Sequence, residues 1–197
     1  MTEALLLVYL ARHGETAWSL SGQHTGRTDL ALTGRGEDQA RALGERLHGL
    51  VFAKVLTSPS QRAARTCALA GFGATADTDP DLAEWDYGAY EGRRTTEILT
   101  ERPDWQLFRD GAPGGETPEQ AAARADRVIV RIRAVNGNAL VVSSAHISRV
   151  LAARWLGLPP SGGRYFVLST ASLSLLGYEH DMTEPVIRLW NDQSHVT

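Results

Sequence analysis

A continuous apolar run near the start of the chain constrains the fold most. Residues 5–10 read LLLVYL, without alternation of polar and apolar side chains, and the run leads into Ala11-Arg12-His13-Gly14. A strand with one solvent-exposed face alternates polar and apolar side chains, so an unbroken apolar run is typical of a strand buried on both faces. We therefore predict that this segment is the central strand of a sheet covered on both sides.

Strand-like and helical segments alternate along the rest of the chain. Predicted strands cover residues 5–10, 52–58, 138–143, 171–178 and 186–190, with a weaker candidate at 74–78. Predicted helices cover residues 33–49, 117–135 and 147–156, and one more begins at Pro59, which is tolerated in a first helical turn. This order predicts an α/β three-layer sandwich with a mostly parallel sheet and helices on both faces. Ligands should gather at the carboxyl ends of the strands.

Length and composition fit one domain spanning residues 1–197, because 43% hydrophobic residues suffice for a sizeable core. Residues 79–116 are rich in Gly, Pro, Trp and charge, and we predict a lid-like insertion there that folds over the site. Trp85 and Trp105 within it are expected to be buried.

The bulk properties also bear on partners and location. A net charge of -3 argues against nonspecific nucleic-acid binding, although a basic pocket can exist in an acidic chain. The first apolar run is too short to cross a bilayer, and we identify no targeting segment. Cys67 is the single cysteine, so no internal disulfide can form and a cytoplasmic location is expected. A homo-oligomer is compatible with the sequence.

The dipeptide Arg12-His13 stands where the first strand should end. A guanidinium is a planar, permanently charged fork suited to phosphate oxygens, and a neutral imidazole can attack phosphorus. The alternative is an arginine paired with a surface carboxylate and a histidine that caps a turn, which for a bare Arg-His is the more common case. Phosphate binding by Arg12-His13 therefore needs support from other parts of the sequence.

Two further charged residues fit phosphoryl chemistry. Arg62 falls in the first turn of the helix after the second strand, where helix amides and a guanidinium both favour an anion. Glu84 lies between Leu82 and Trp85, and partial desolvation would suit it to protonate a leaving alkoxide. Arg65, one turn after Arg62, fits a solvated helix charge. The alternative for Glu84 is an exposed charge on a loop.

Taken together, these motifs resemble the histidine phosphatase superfamily, which includes phosphoglycerate mutases and many phosphatases. The resemblance rests on Arg-His-Gly-Glu-Thr, GQHTGRTDLALTGRG, SPSQRAARTC and LAEWDYGAYEG in the family's order, and it covers nearly the whole chain. It is strongest to small phosphatases that include sedoheptulose 1,7-bisphosphatases and bacterial acid phosphatases. The expected fold is therefore phosphoglycerate mutase-like.

The resemblance implies a role for each matching residue. His13 becomes transiently phosphorylated, Arg12 and Arg62 clamp the phosphoryl oxygens, and Glu84 protonates the leaving oxygen. No metal or cofactor is required, because fixed positive charge and positioning supply most of the catalysis. Candidate substrate-binding residues are Gln23, Thr25, Gly26, Tyr87 and His146. Candidates for holding a second phosphate are Arg27, Arg93, Arg94, Arg109 and Arg164, each of which is otherwise a solvated arginine.

The stretch VVSSAHISR departs from the family pattern. Where the family has Ser-His-Gly, often followed by a second His, this chain has Ser144 at the catalytic His position and Ala145 at the glycine. Ser144 could be a replaced pocket donor, which typically costs about a hundredfold to a thousandfold in rate. His146 could enter the pocket instead. Alternatively, Ser143 or Ser144 caps the following helix and His146 packs in its first turn.

These observations predict a metal-independent phosphatase that hydrolyses a small phosphomonoester, either a sugar phosphate or a bisphosphate. The reaction would pass through a phosphohistidine and release inorganic phosphate, at a rate reduced by Ser144. Two alternatives stay open. One is a catalytically impaired phosphate- or phosphosugar-binding protein, and the other is a phosphoglycerate mutase. Neither nucleic acid nor a membrane is an expected partner.

Overall fold

The computed structural model describes residues 5–196 and contains a six-stranded sheet in the order β3-β2-β4-β1-β5-β6. The strands are β1 (Val8–Arg12), β2 (Lys54–Thr57), β3 (Ala76–Thr78), β4 (Ala139–Ser143), β5 (Leu173–Tyr178) and β6 (Pro185–Asp192). β1 to β4 run parallel, whereas β5 pairs antiparallel with β1 and β6 pairs antiparallel with β5. The first predicted strand is thus central, between β4 and β5.

Helices flank the sheet on both faces. The α-helices are α1 (Ala17–Ser21), α2 (Gly34–Arg46), α3 (Gln61–Leu69), α4 (Thr95–Glu101), α5 (Leu107–Asp110), α6 (Pro118–Arg133) and α7 (Ala145–Trp155). The 3-10 helices are Pro80–Leu82, Gly88–Tyr90 and Pro160–Tyr165. No helix in residues 5–196 is long and apolar enough to cross a membrane.

Two apolar clusters, one on each face, bury both sides of β1. Val8 and Leu10 belong to the cluster that contains the apolar residues of α6 and α7. Tyr9 and Ala11 point the other way and pack in the cluster that contains the apolar residues of α2 and α3. Since successive strand side chains face opposite sides, an unbroken apolar run is what a doubly covered strand requires. The predicted α/β sandwich is confirmed.

Local sequence signals explain the main helices. The hydroxyl of Thr117 caps α6 by accepting the amide of Gln120 at 3.3 Å, and Pro118 occupies the first turn. Ala121, Ala125, Val128 and Ile132 then recur on its buried face. Helix α2 is capped in the same way by Thr33 and begins at Gly34, close to the predicted start.

Several predicted boundaries were wrong. β1 begins at Val8 rather than at residue 5 and extends to Arg12. α7 begins at Ala145, two residues earlier than predicted, so His146 lies in its first turn. Pro59 precedes Ser60, the N-cap of α3, and is therefore outside the helix. Helix ends depend on backbone geometry and tertiary partners that the apolar period does not encode.

Residues 79–116 contain two of the 3-10 helices together with α4 and α5. Trp85 is fully buried and Trp105 is 4% exposed, as expected from their size. Both indoles donate to backbone carbonyls, Trp85 to Glu116 at 2.9 Å and Trp105 to Gly111 at 2.8 Å. These bonds tie the segment to itself around a buried aromatic cluster.

Candidate active site

The ends of β1 and β4 bring two predicted site residues together. The strands are parallel and Arg12 pairs with Ser143, so His13 and Ser144 leave the sheet side by side. The amide of His13 donates to the carbonyl of Ser143 at 2.9 Å. Residues that lie 131 positions apart in the chain thus meet at the carboxyl edge of the sheet.

His13 is buried and its tautomer is set by a neighbour. Its Nδ1 lies 2.7 Å from the carbonyl oxygen of Gly14, and a carbonyl only accepts, so Nδ1 carries the hydrogen and Nε2 has the lone pair. Burial lowers the pKa of His13 well below the ordinary histidine value, and the charges of Arg12 and Arg62 lower it further. The ring is therefore neutral at physiological pH, with the lone pair of Nε2 unprotonated.

Gly14 fixes the position of that carbonyl. Its amide donates to Oγ1 of Thr66 at 3.0 Å. A Cβ on Gly14 would lie 2.3 Å from the carbonyl oxygen of Gly36 in α2, so no larger residue fits here. The glycine of the Arg-His-Gly motif is explained by this close approach of two backbones.

Arg12 is held from one side only. One terminal nitrogen donates to the carbonyl of Leu168 at 2.6 Å, whereas the buried Nε has no hydrogen-bond partner within residues 5–196. Burial lowers the pKa of this guanidinium, partly offset by the charge of Glu84. A buried cation with an unused donor is costly on its own and is suited to an anionic ligand.

Arg62 is 1% exposed and bound to backbone oxygens. Its terminal nitrogens donate to the carbonyls of Thr25, Gly26 and Thr28 at 3.0, 3.2 and 3.1 Å. Its Nε has no partner among the described residues. Arg62 lines a larger cavity that shares Glu84 with the cavity of His13, yet its charge acts on the His13 pKa. It therefore lies outside the wall of the His13 cavity, with one donor unused.

Glu84 is 9% exposed and anchors the start of α7. Its Oε1 accepts the amides of Trp85 and Ile147 at 2.8 and 2.9 Å, and its Oε2 accepts the amide of His146 at 2.9 Å. A carboxylate is favoured at a helix N-terminus, where amides lack partners within the helix. The exposed loop charge considered as an alternative for Glu84 is therefore wrong.

Ser144 is the N-cap residue of α7, but its side chain makes no capping bond. Its hydroxyl is buried without a partner among residues 5–196, and Ser144 does not line the cavity of His13. The neighbouring hydroxyl of Ser143 donates to the carbonyl of Leu82 at 2.7 Å. The serine cap considered as an alternative is thus wrong, because the Glu84 carboxylate takes that position.

His146 forms part of the pocket wall with Tyr87 and His24. Its Nδ1 lies 2.6 Å from the Tyr87 hydroxyl, and the His24 and Tyr87 rings are 4.7 Å apart. Burial lowers the pKa of His146 well below its ordinary value, and the charge of Arg149 lowers it further. Burial also raises the pKa of Tyr87 and lowers that of His24 to about 4. The cluster is neutral at physiological pH.

The predicted loop contacts divide into two groups. Gln23 and Thr25 line the cavity of His13, whereas Gly26 lines the larger cavity with Arg62. The Gly26 amide donates to both carboxylate oxygens of Glu91 at 2.9 and 3.0 Å, and a Cβ there would lie 2.4 Å from the carbonyl oxygen of Trp85. Gly26 therefore serves backbone packing beneath the site.

The phosphate pocket, as we call the cavity of His13, has a volume of about 250 Å³. Sequence reasoning did not assign several of its wall residues to the site, among them Trp18, Thr95, Arg149 and Leu168. Arg149 lies one helical turn after His146 on α7, which brings both side chains to the same cavity. Within residues 5–196 no cluster of three or more His, Cys, Asp or Glu side chains could hold a metal ion.

Comparison with known proteins identifies the family of this chain. The model of the histidine phosphatase superfamily (branch 1) matches residues 8–193. The chain belongs to the histidine phosphatase superfamily. The family resemblance inferred from the motifs is thereby confirmed, and the match covers all six strands of the sheet.

Relatives within the histidine phosphatase superfamily cover most of the chain. An acid phosphatase of Mycobacterium tuberculosis is 40% identical over 179 residues, which are 89% of this chain and 88% of the relative. Sedoheptulose 1,7-bisphosphatase of Saccharomyces cerevisiae is 36% identical over 182 residues, and the match covers 76% of this chain and 67% of the relative. The solved structure of an open reading frame product from Mycobacterium tuberculosis superposes with a TM-score of 0.89 at 38% identity. The superposition covers 94% of this chain and 96% of the other.

Proposed function

We propose that this histidine phosphatase hydrolyses a small phosphomonoester without a metal ion, through a phosphorylated His13. The expected substrates are sugar phosphates or bisphosphates, and one product is inorganic phosphate. The similarity to an acid phosphatase and to a sedoheptulose 1,7-bisphosphatase supports this substrate class. No cofactor is part of the proposal.

The orientation of His13 carries the proposal. With Nδ1–H donated to Gly14 at 2.7 Å, Nε2 is the nitrogen with a lone pair. A histidine whose pKa is lowered by burial and by two arginines keeps that lone pair free of protons. Together these two features leave an unprotonated ring nitrogen available to attack phosphorus.

The proposed reaction has two displacements. Nε2 of His13 attacks phosphorus, the bond from phosphorus to the alcohol oxygen breaks, and Glu84, as the general acid, gives a proton to the leaving oxygen. Water then attacks the phosphohistidine, the bond from nitrogen to phosphorus breaks, and Glu84 takes the proton back. Arg12 lines the phosphate pocket and has an unused Nε–H for the charge that develops on the phosphoryl oxygens, and the positive charge of nearby Arg62 adds to its effect.

Ser144 sets the expected rate. A histidine at this position would add a donor to the phosphoryl group, whereas the Ser144 hydroxyl lies outside the pocket wall. We therefore expect turnover about a hundredfold to a thousandfold below that of a relative with the complete set. The same observation favours a second candidate function, a phosphate- or phosphosugar-binding protein that has lost catalysis.

Hydrolysis of 4-nitrophenyl phosphate in the presence of a chelator tests the proposal. The unaltered chain should turn over this ester, and His13→Ala should abolish turnover, while His180→Ala, at an exposed histidine, should keep it. Equal turnover by the His13 variant and the unaltered chain would contradict the assignment. Calorimetric binding of inorganic phosphate without turnover would favour the binding protein, and stimulation by a bisphosphoglycerate primer would favour a mutase.

A further inference from the structure

A second cavity of about 440 Å³ adjoins the phosphate pocket. The two share His24, Thr95 and His146 as wall residues. We call the second cavity the leaving-group pocket, and its remaining walls are Trp105, Gln106, Leu107, Phe108, Arg164 and Tyr165. An ester whose phosphoryl group lies at His13 would extend its alcohol portion past His146 into this space.

The floor of the leaving-group pocket is apolar and rigid. Trp105 and Phe108 are 4% and 5% exposed, so their rings are fixed by the core behind them. The guanidinium of Arg149 lies over the Phe108 ring at 4.5 Å from its centroid. A flat floor of this kind suits a ring or another compact apolar spacer in the ligand.

Arg164 stands at the rim of this pocket without a carboxylate partner. No carboxylate within residues 5–196 forms an ion pair with it. Its guanidinium donates to Oε1 of Gln106 at 3.4 Å and lies over the ring of Tyr165 at 4.6 Å from the centroid. The positive charge is therefore oriented but not neutralised.

The other arginines considered for a second anion differ in this respect. Arg27, Arg93 and Arg109 pair with carboxylates at 2.7, 2.6 and 2.7 Å. Arg94 lines neither of the two pockets. Arg164 is thus the member of that set whose charge is both available and adjacent to the site.

Packing holds the backbone of Arg164 in place. Arg149 donates to the carbonyls of Gly163 and Arg164 at 3.0 and 3.2 Å. Gly163 lies so close to Phe108 that a Cβ would be 2.7 Å from a ring carbon. The 3-10 helix that carries Arg164 is therefore anchored to the floor of the pocket and to α7.

The charges of the two pockets favour a ligand with two anionic ends. Among their described wall residues Glu84 is the single carboxylate, whereas Arg12, Arg149 and Arg164 are cations. Arg12 and Arg149 line the phosphate pocket and are available to one phosphoryl group, whereas Arg164 lines only the leaving-group pocket and is uncompensated. We propose that Arg164 binds a second anionic group on the alcohol portion of the substrate, separated from the phosphoryl group by a ring-sized spacer. This inference rests on the proposed function for the position of the phosphoryl group.

Equilibrium binding tests this subsite independently of turnover. Benzylphosphonate and 4-carboxybenzylphosphonate are non-hydrolysable and differ by one carboxylate. Calorimetry at low ionic strength, where surface charges are least screened, should show about fivefold tighter binding of the carboxylated ligand to the unaltered chain. In Arg164→Gln the ratio of the two Kd values should fall to about one. Arg41→Gln removes an exposed arginine of α2 that lines neither pocket and should keep the ratio.

Each result has one interpretation. Equal affinities for both ligands in the unaltered chain, or a preference that persists in Arg164→Gln, would overturn the subsite. Equal loss of the preference in both variants would assign it to overall charge and would also overturn the proposal. Preference lost in Arg164→Gln alone, with no turnover of any ester, would leave the subsite standing while the proposed phosphatase activity fails.

Discussion

The carboxylate of Glu84 accepts the backbone amide of His146 at 2.9 Å, which joins the loop after the 3-10 helix Pro80–Leu82 to the first turn of α7. The same carboxylate accepts the amide of Ile147. The proposed acid is therefore also the tertiary cap of the helix that follows Ser144. Catalysis and the local stability of that helix should respond together when Glu84 is changed.

Replacing Glu84 should therefore lower both stability and turnover. Glu84→Ala leaves the amides of His146 and Ile147 without their acceptor and should lower the free energy of unfolding by about 1–3 kcal/mol. Glu84→Gln keeps one carbonyl acceptor and should lose less stability, yet it has no acidic proton to donate. Urea unfolding together with 4-nitrophenyl phosphate turnover separates these effects. A fully active Glu84→Gln would contradict the acid assignment.

Restoring the family residues at the start of α7 should raise turnover. Ser144→His together with Ala145→Gly recreates the Ser-His-Gly pattern, and one added donor to developing charge is worth about a hundredfold to a thousandfold in kcat. The glycine gives the imidazole and the adjacent backbone more room. A correctly folded double variant, verified by circular dichroism, whose kcat does not rise would show that the missing imidazole does not limit the reaction.

The buried hydroxyl of Ser144 should slightly lower the free energy of unfolding. It is buried without a hydrogen-bond partner among the described residues, and an unsatisfied buried hydroxyl costs about 1–3 kcal/mol. Ser144→Ala should therefore leave the free energy of unfolding unchanged or raise it by about 1 kcal/mol. The matched control is Ser143→Ala, which removes the bond to Leu82 at 2.7 Å and should destabilise the fold. If Ser144→Ala proved the more damaging of the two, the hydroxyl would have a partner after all.

Much of the site followed from strand ends that the sequence marks clearly. Residues Arg12 and His13 follow the central strand, and Arg62 opens the helix after β2, so parallel pairing places them at one edge. The carbonyls that hold Arg62 and the amides that hold Glu84 were not predictable, because backbone groups leave no trace in residue type. Their positions depend on loop conformations around residues 25–28 and on the exact start of α7.

Arg149 shows why the wall of the pocket was harder to predict than its centre. In the sequence it is one of several arginines, and nothing in its neighbours distinguishes it from a solvated helix charge. Its place in the site depends on the 3-10 helix Pro160–Tyr165 packing against α7, a tertiary contact between segments with weak periodic signals. The same contact brings Arg164 to the leaving-group pocket.

Acid should destabilise the protein partly through His24. Burial lowers its folded-state pKa to about 4, while the unfolded chain has the ordinary value of about 6.5. Below about pH 6.5 the unfolded state binds more protons, so stability falls as the pH drops from about 6.5 to about 4, by about 3 kcal/mol for this group. Urea unfolding of His24→Gln should show that much less loss between pH 7 and pH 4. The exposed His180→Gln should behave like the unaltered chain, and identical pH dependence in all three would contradict the prediction.

Trapping the covalent intermediate tests the central claim most directly. Rapid quenching with base during turnover of a phosphoryl-labelled aryl ester, followed by peptide mapping, should place one phosphoryl group on His13. The label should be stable in base, be lost in acid, and be absent from His13→Ala. Turnover that proceeds with no label on His13, or with the label on another residue, would contradict a phosphohistidine at this position.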